Sequence, residues 1–221
     1  MTTYFIGGIA TDERFYAYPL AQIPGAVYLP LPRHEAGDTM SRYCLRFLPL
    51  IDTIRPFNLV GNSMGGIMVM ELLRHTHPEK VILVSSVKCR AEMPWRLRQL
   101  RYSKLHRLLS GRAFIAGTRW GSLLLPELRT APVVRQLAIS MAEGNDPAFL
   151  SWCVNAIVNW QGSNHYRSDI VHIHGTRDGM FPYRNLSQAI PVTGGTHQMQ
   201  LTREEEITAL LKHYLALPDT I

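Results

Sequence analysis

No apolar run in these 221 residues approaches the roughly 18–20 residues that span a bilayer as a helix. The N-terminus, Met-Thr-Thr-Tyr-Phe-Ile-Gly-Gly, has neither a basic leader nor a long apolar stretch, so no secretory signal is expected. Cysteine is scarce. Cys44, Cys89 and Cys153 stand far apart, in neither a disulfide framework nor a metal-binding spacing. These absences point to a reducing cytoplasm, with the thiols packed as small apolar side chains. The sequence has no internal repeat, no low-complexity segment, no P-loop, no dinucleotide fingerprint and no HExxH metal helix. No cofactor and no metal site are therefore expected.

Acidic residues are missing from one region in particular. Between residues 88 and 129 lie Lys88, Arg90, Arg96, Arg98, Arg101, Lys104, Arg107, Arg112, Arg119 and Arg129, opposed only by Glu92 and Glu127. That segment exceeds the net +6 of the whole chain, so the remainder is slightly acidic. Such a field reports a contact surface or solubility, not a fold. What is present is a 46% hydrophobic composition, enough for one domain with an elaboration or two small ones.

Short apolar runs alternate with longer amphipathic ones. Strands are expected at 3–7, 26–30, 57–61, 80–87, 170–175 and 189–193. Helices are expected at 39–54, capped by Thr39 and carrying Met40, Tyr43, Cys44, Phe47, Leu48, Ile51 and Ile54 at helical spacing, and at 64–76, ended by Pro78. A final helix at 202–216 has Thr202 and Glu205 spaced as a capping box. From 95 to 160 the pattern is mostly helical, with breaks near Gly111, Gly117, Gly121, Pro126, Pro132 and Gly144 to Pro147. Strands apolar on both faces, separated by helices, imply an α/β fold: about six mostly parallel strands with helices on both faces. The helical stretch is too long for one crossover. It is expected to form a cap at 89–165, inserted into a core made of 1–88 and 166–221.

Gly61-Asn62-Ser63-Met64-Gly65 is a G-x-S-x-G pattern between a strand and a helix, the context of a nucleophile elbow. The glycines answer crowding, and the sharp turn lifts the serine hydroxyl above the sheet. The pentapeptide alone leaves a second reading open, in which Ser63 simply caps the helix. A serine nucleophile needs a base and an orienting acid. His197 in "GGTH" follows the last strand, and Asp178 in "HGTRDGMFP" follows the strand before it. In a parallel sheet all three loops lie at one edge, where such folds place ligands.

With these three motifs in the order Ser63, Asp178, His197, the chain resembles a serine hydrolase of the α/β-hydrolase superfamily over nearly its whole length outside the cap. The resemblance implies an α/β-hydrolase fold with a shortened N-terminal part and cleavage of a carboxylic ester or thioester through an acyl-enzyme on Ser63. Backbone N–H groups of Met64 and Ile9 would bind the oxyanion, with Gly8 allowing close approach. The family usually has His-Gly after the first core strand. Here Gly7-Gly8 stand in that place, and the role needs only a backbone N–H. Two rival readings share the fold: a non-catalytic binding or scaffold protein, and a C–C hydrolase or lyase using the same three residues.

Other residues have plainer readings. Glu92 is an alternative acid, and Asp169 precedes its strand and belongs to the wrong edge. His172 and His174 are read as core histidines, not a metal pair. His75 and His77 suit a helix C-terminus. His34 belongs to a loop that borders the pocket or is simply exposed, and Asp12-Glu13-Arg14 reads as a helix start. Trp95, Trp120, Trp152 and Trp160 fall in the cap, mostly as its core, with one or two lining an acyl pocket. The basic cap is either a solvated helix face or a docking face, with Arg98, Arg101 and Arg107 at its centre. An acidic partner would then be acyl carrier protein, the phosphates of coenzyme A or an anionic membrane. No groove-reading motif accompanies the charge, so nucleic acid is not an expected partner.

Overall fold

The computed structural model describes residues 1–108, 110–121, 131–163 and 167–216. Of the basic segment, Glu127 and Arg129 lie outside the described residues, as does the Pro126 break. Six strands form one sheet: β1 (Thr2–Ile6), β2 (Ala26–Leu29), β3 (Phe57–Asn62), β4 (Lys80–Val84), β5 (Val171–Gly175) and β6 (Ile190–Val192). Their order is β2-β1-β3-β4-β5-β6 and every pairing is parallel. A parallel sheet buries both faces, and the alternation of side chains along each strand divides the core in two. Tyr4, Ile6, Leu59, Val81 and Leu83 join one apolar cluster, while Phe5, Val60, Ile82, Val84 and Ile173 join the other.

Among the described residues the helices are α1 (Ala17–Gln22), α2 (Met40–Cys44), α3 (Met64–Leu72), α4 (Trp95–Ser103), α5 (Gly111–Gly121), α6 (Pro132–Glu143), α7 (Pro147–Asn159), α8 (Met199–Thr202) and α9 (Glu204–Tyr214). Helix α3 is buried along all nine residues, against Ile6 and Leu59 of the sheet and Ala156 of α7. Helices α4 to α7 lie between β4 and β5 in sequence. Pro132 and Pro147 start helices there, where a missing N–H is harmless, and Asp146 caps α7 by accepting from Ala148 N. Gly117 lies inside α5 and breaks nothing.

Several expected boundaries move. Thr39 caps α2 as its position suggests, accepting from Arg42 N, but the helix tightens to a 3-10 turn at Leu45–Leu50. Pro49 in that turn has no N–H to continue the helix, and Ile51 is already extended. Ile54, expected on an apolar face, is 95% exposed. Strand β4 stops at Val84, not 87. Ser85 adopts φ 47, which ends the strand, although Ser85 to Lys88 stay buried. The capping box does not form. The Thr202 hydroxyl donates to Gln198 O, and α9 begins only after Arg203.

The chain runs from β1 out to β2 and returns to β3 on the other side of β1. That reversal opens a crevice at the C-terminal ends of β1 and β3, the place where open parallel sheets bind ligands. Gly7-Gly8 follow β1 and Ser63 follows β3, so the topology brings both to this crevice.

Candidate active site

Ser63 sits at the junction of β3 and α3 with φ 53 and ψ −119. A non-glycine residue held there costs about 1–3 kcal/mol, and such strain persists only where the surroundings enforce it. Three hydrogen bonds do so: Ser63 N donates to Val84 O (3.0 Å), and Ser63 O accepts from Ser86 Oγ (2.7 Å) and Gly66 N (3.0 Å). The neighbouring glycines are there for space. A Cβ on Gly61 would come within 2.6 Å of Gly65 O and Gly66 Cα, and one on Gly65 would strike the carbonyls of Ile6 and Gly7. The helix-cap reading of Ser63 fails, since its side chain makes no capping bond to α3.

The hydroxyl instead faces His197. Ser63 Oγ lies 2.9 Å from His197 Nε2, and His197 Nδ1 lies 2.8 Å from Asp178 Oδ2. His197 stands on the loop between β6 and α8, with its ring edge-on to Phe181 at 5.6 Å. Asp178 stands in the turn after β5 with a fully buried carboxylate. Its Oδ1 accepts from Met180 N (2.8 Å) and Phe181 N (2.9 Å). Burial pushes this carboxyl up. The positive field of His197 and the hydrogen bonds from His174 and His197 pull the other way and win, holding it well below the ordinary carboxylate range. An ionised carboxylate only accepts, so Nδ1 of a neutral His197 carries the ring proton. Nε2 is then the bare nitrogen, aimed at the serine hydroxyl.

His174 lies nearer this centre than its reading as a core residue suggests. It is fully buried, its Nε2 donates to Phe181 O at 2.7 Å, and the same nitrogen is 3.1 Å from Asp178 Oδ2. His172 stacks edge-on at 5.3 Å and donates from Nε2 to Ser86 O at 3.1 Å; burial, followed by the charge of His174, pushes it down to about 3. Each ring has an Nδ1 without a hydrogen-bond partner among the described residues, so these are core histidines only half satisfied. The sequence signal was available, because His174 and Asp178 are four apart at a strand end. Among the described residues no three His, Cys, Asp or Glu side chains converge as a metal site requires.

Gly8 and Ile9 lie against Ser63. A Cβ on Gly8 would be 3.1 Å from Ser63 Cβ, and the Thr11 hydroxyl donates to Gly8 O at 3.0 Å, which fixes the loop. Met64 is the first residue of α3, so its N–H is among the unpaired donors at the helix's positive end. Ser63, His197, Gly8 and Ile9 open onto a cavity of about 460 Å³. The far walls come from the helices between β4 and β5: Leu97 and Leu100 of α4, Phe114 of α5, Met141 of α6, and Val154 and Ile157 of α7. Sequence reading did not single out these six. Their only trace is helical spacing, such as Leu97 with Leu100 and Val154 with Ile157.

Other candidates lie elsewhere. Glu92 is buried away from His197, accepting from Lys88 N, Ser187 N and Ser187 Oγ, with Lys88 Nζ 3.7 Å away. Asp169 pairs with Arg167 at 2.7 Å at the far end of β5. His75 and His77 are exposed, and Asp12 caps the 3-10 turn Glu13–Tyr16. His34 stacks on Trp152 beside a different depression, one shared with Arg33 and Asp146. No tryptophan lines the cavity. Trp152 and Trp160 are buried, while Trp95 and Trp120 are 62% and 68% exposed, which corrects their reading as core. Arg98 and Arg107 are exposed, and Arg101 is half-buried against Gln161 Oε1.

No protein-family model matches the sequence, and no curated protein does. Solved structures do match. An esterase from Thermogutta terrifontis superposes with a TM-score of 0.75 at 14% identity, covering 98% of this chain and 89% of that one. The enol-lactonase from Burkholderia xenovorans LB400 gives 0.71 at 17% identity, covering 98% and 92%. MGS-M2, an alpha/beta hydrolase enzyme from a Medee basin deep-sea metagenome library, gives 0.70 at 13% identity, covering 100% and 91%. At such identities the likeness is one of architecture, and the chain has the α/β-hydrolase fold.

Proposed function

We propose that this chain, built on the α/β-hydrolase fold, is a serine hydrolase that cleaves carboxylic esters or thioesters of apolar acyl groups. The observation that carries the reading is the unbroken run from Ser63 Oγ through His197 to the buried Asp178 carboxylate, with Ser63 held in a strained turn. That strain gives the fold nothing in return, which speaks against a scaffold that has merely kept the residues.

In the proposed cycle Ser63 Oγ attacks the carbonyl carbon while His197 Nε2 takes its proton. Asp178 holds the ring and stabilises the imidazolium. The N–H groups of Met64 and Ile9 receive the oxyanion, a contribution of about 3–4 kcal/mol per donor in such sites. Collapse expels the alcohol or thiol, which is protonated by His197. Water, activated by the same nitrogen, then releases the acid and restores Ser63. The helices between β4 and β5 act as a cap, and their Leu97, Leu100, Phe114, Val154 and Ile157 hold an aliphatic chain.

The test is a series of p-nitrophenyl esters of increasing acyl length. Each added CH₂ buried in the cavity is worth about 0.8 kcal/mol, so kcat/KM rises about fourfold per carbon until the cavity is full. Ser63→Ala lowers kcat by about 10⁶-fold. Hydrolysis at the same rate in Ser63→Ala would overturn the reading.

A further inference from the structure

The wall that closes the cavity has a second side. Residues 95–108 read WRLRQLRYSKLHRL, and from Met93 to Gly121 the sequence has seven Lys and Arg residues and no Asp or Glu. Leu97 and Leu100 of α4 turn inward and line the cavity. Trp95 (62% exposed) and Tyr102 (74%) are seven apart, hence on one face of α4, with the exposed Arg98 between them. Arg96 Cζ stands 5.9 Å over the Trp95 ring. Past the helix end, in the 3-10 turn Leu105–Leu108, two more apolar side chains reach solvent beside Lys104 and Arg107: Leu105 (58%) and Leu108 (81%).

Cations alone would suffice to dock a nucleotide phosphate, which would leave the four large apolar side chains set among them in water. A bilayer interface covers them as well: Trp and Tyr settle at headgroup level, Leu enters the acyl boundary, and Arg and Lys meet anionic headgroups. The cavity opens on the same side. Leu105 and Met180 both line it and are both more than half exposed, so they form its rim.

We propose that the outer face of α4 and the turn after it docks on an anionic lipid bilayer, bringing the rim of the Ser63 cavity to the membrane surface. The entry of a lipid-borne acyl ester through that rim rests on the hydrolase reading above; the docking itself does not.

The test uses the full chain carrying Ser63→Ala, co-sedimented with vesicles of phosphatidylcholine alone or mixed with phosphatidylglycerol. Binding is expected only to the mixed vesicles and is released by added salt. Arg98→Gln with Arg107→Gln weakens it about twenty-five-fold, from about fivefold per charge. Trp95→Ala with Tyr102→Ala also weakens it, while leaving hydrolysis of a short soluble ester by the Ser63 protein unchanged. Equal binding to both vesicle types, or binding to neither, overturns the proposal. So does capture of acyl carrier protein that survives loss of Trp95 and Tyr102 without any vesicle binding, or a vesicle-free dimer that Trp95→Ala dissociates. An inert Ser63 would sink the hydrolase reading and leave docking intact. Full esterase activity without vesicle binding would sink docking alone.

Discussion

Replacing Asp178 with Asn changes one atom and tests the whole relay. Oδ1 of Asp178 accepts from two backbone donors, Met180 N and Phe181 N, so the amide oxygen must take that place. The amide NH₂ is then left where Oδ2 was, 2.8 Å from His197 Nδ1. It can only donate, which forces the ring proton onto Nε2. That nitrogen faces Ser63 Oγ at 2.9 Å and can no longer take the hydroxyl proton. Loss of the correct tautomer in such a triad costs about 10⁴-fold in kcat, or about 5.4 kcal/mol. KM should change little, because the amide lies behind the histidine and away from the cavity. The assay is steady-state hydrolysis of a p-nitrophenyl ester, with thermal unfolding as the check that the variant is folded. A folded Asp178→Asn protein that loses less than about tenfold in kcat would refute the reasoning, since the carboxylate would then not be setting the tautomer.

Ser63→Gly removes the nucleophile but suits φ 53, so it should abolish hydrolysis while raising stability by about 1 kcal/mol in chemical denaturation; a destabilised variant would contradict the strain. Val154→Phe narrows the cavity wall, so it should raise KM for long acyl esters and leave the acetyl ester unaffected; equal loss on both would place Val154 outside the acyl path. His174→Phe removes a donor that helps hold Asp178 ionised, and the sign of its pH dependence follows. A depressed carboxyl contributes stability above the unfolded carboxyl range of about 3.9, and that contribution is lost as pH falls through the folded value. The stability gap between wild type and His174→Phe should therefore shrink as the pH falls below about 4. A gap that persists unchanged into acid would mean that His174 only fills space.

Strands were legible because a parallel sheet buries both faces, which turns runs such as Leu59–Gly61 and Val81–Val84 continuously apolar. The meeting of Ser63, Asp178 and His197 was legible for a topological reason: parallel strands deliver their following loops to one edge, however far apart those loops are in sequence. Local chemistry was less readable where tertiary demands override it. Ser85 to Val87 read as the end of an apolar strand, yet they are buried as a loop that fastens Ser63, with Ser86 Oγ on its carbonyl. The periodicity of 39–54 ran through Pro49 and misplaced Ile54. The spacing of Thr202 and Glu205 imitated a capping box that α8 pre-empts. Trp95 looked like core because tryptophan usually is, and only the packing of α4 shows it facing water. The residues that line the cavity were not legible, since its far walls come from four helices whose relative placement no local pattern encodes.

The central claim is an activated nucleophile at Ser63, and intact-mass analysis after fluorophosphonate treatment tests it most directly. A single phosphonyl adduct is expected, mapped to Ser63, absent from Ser63→Ala and strongly slowed in Asp178→Asn. A folded protein that takes no adduct, or takes it at another residue, would mean that Ser63 is not an activated nucleophile.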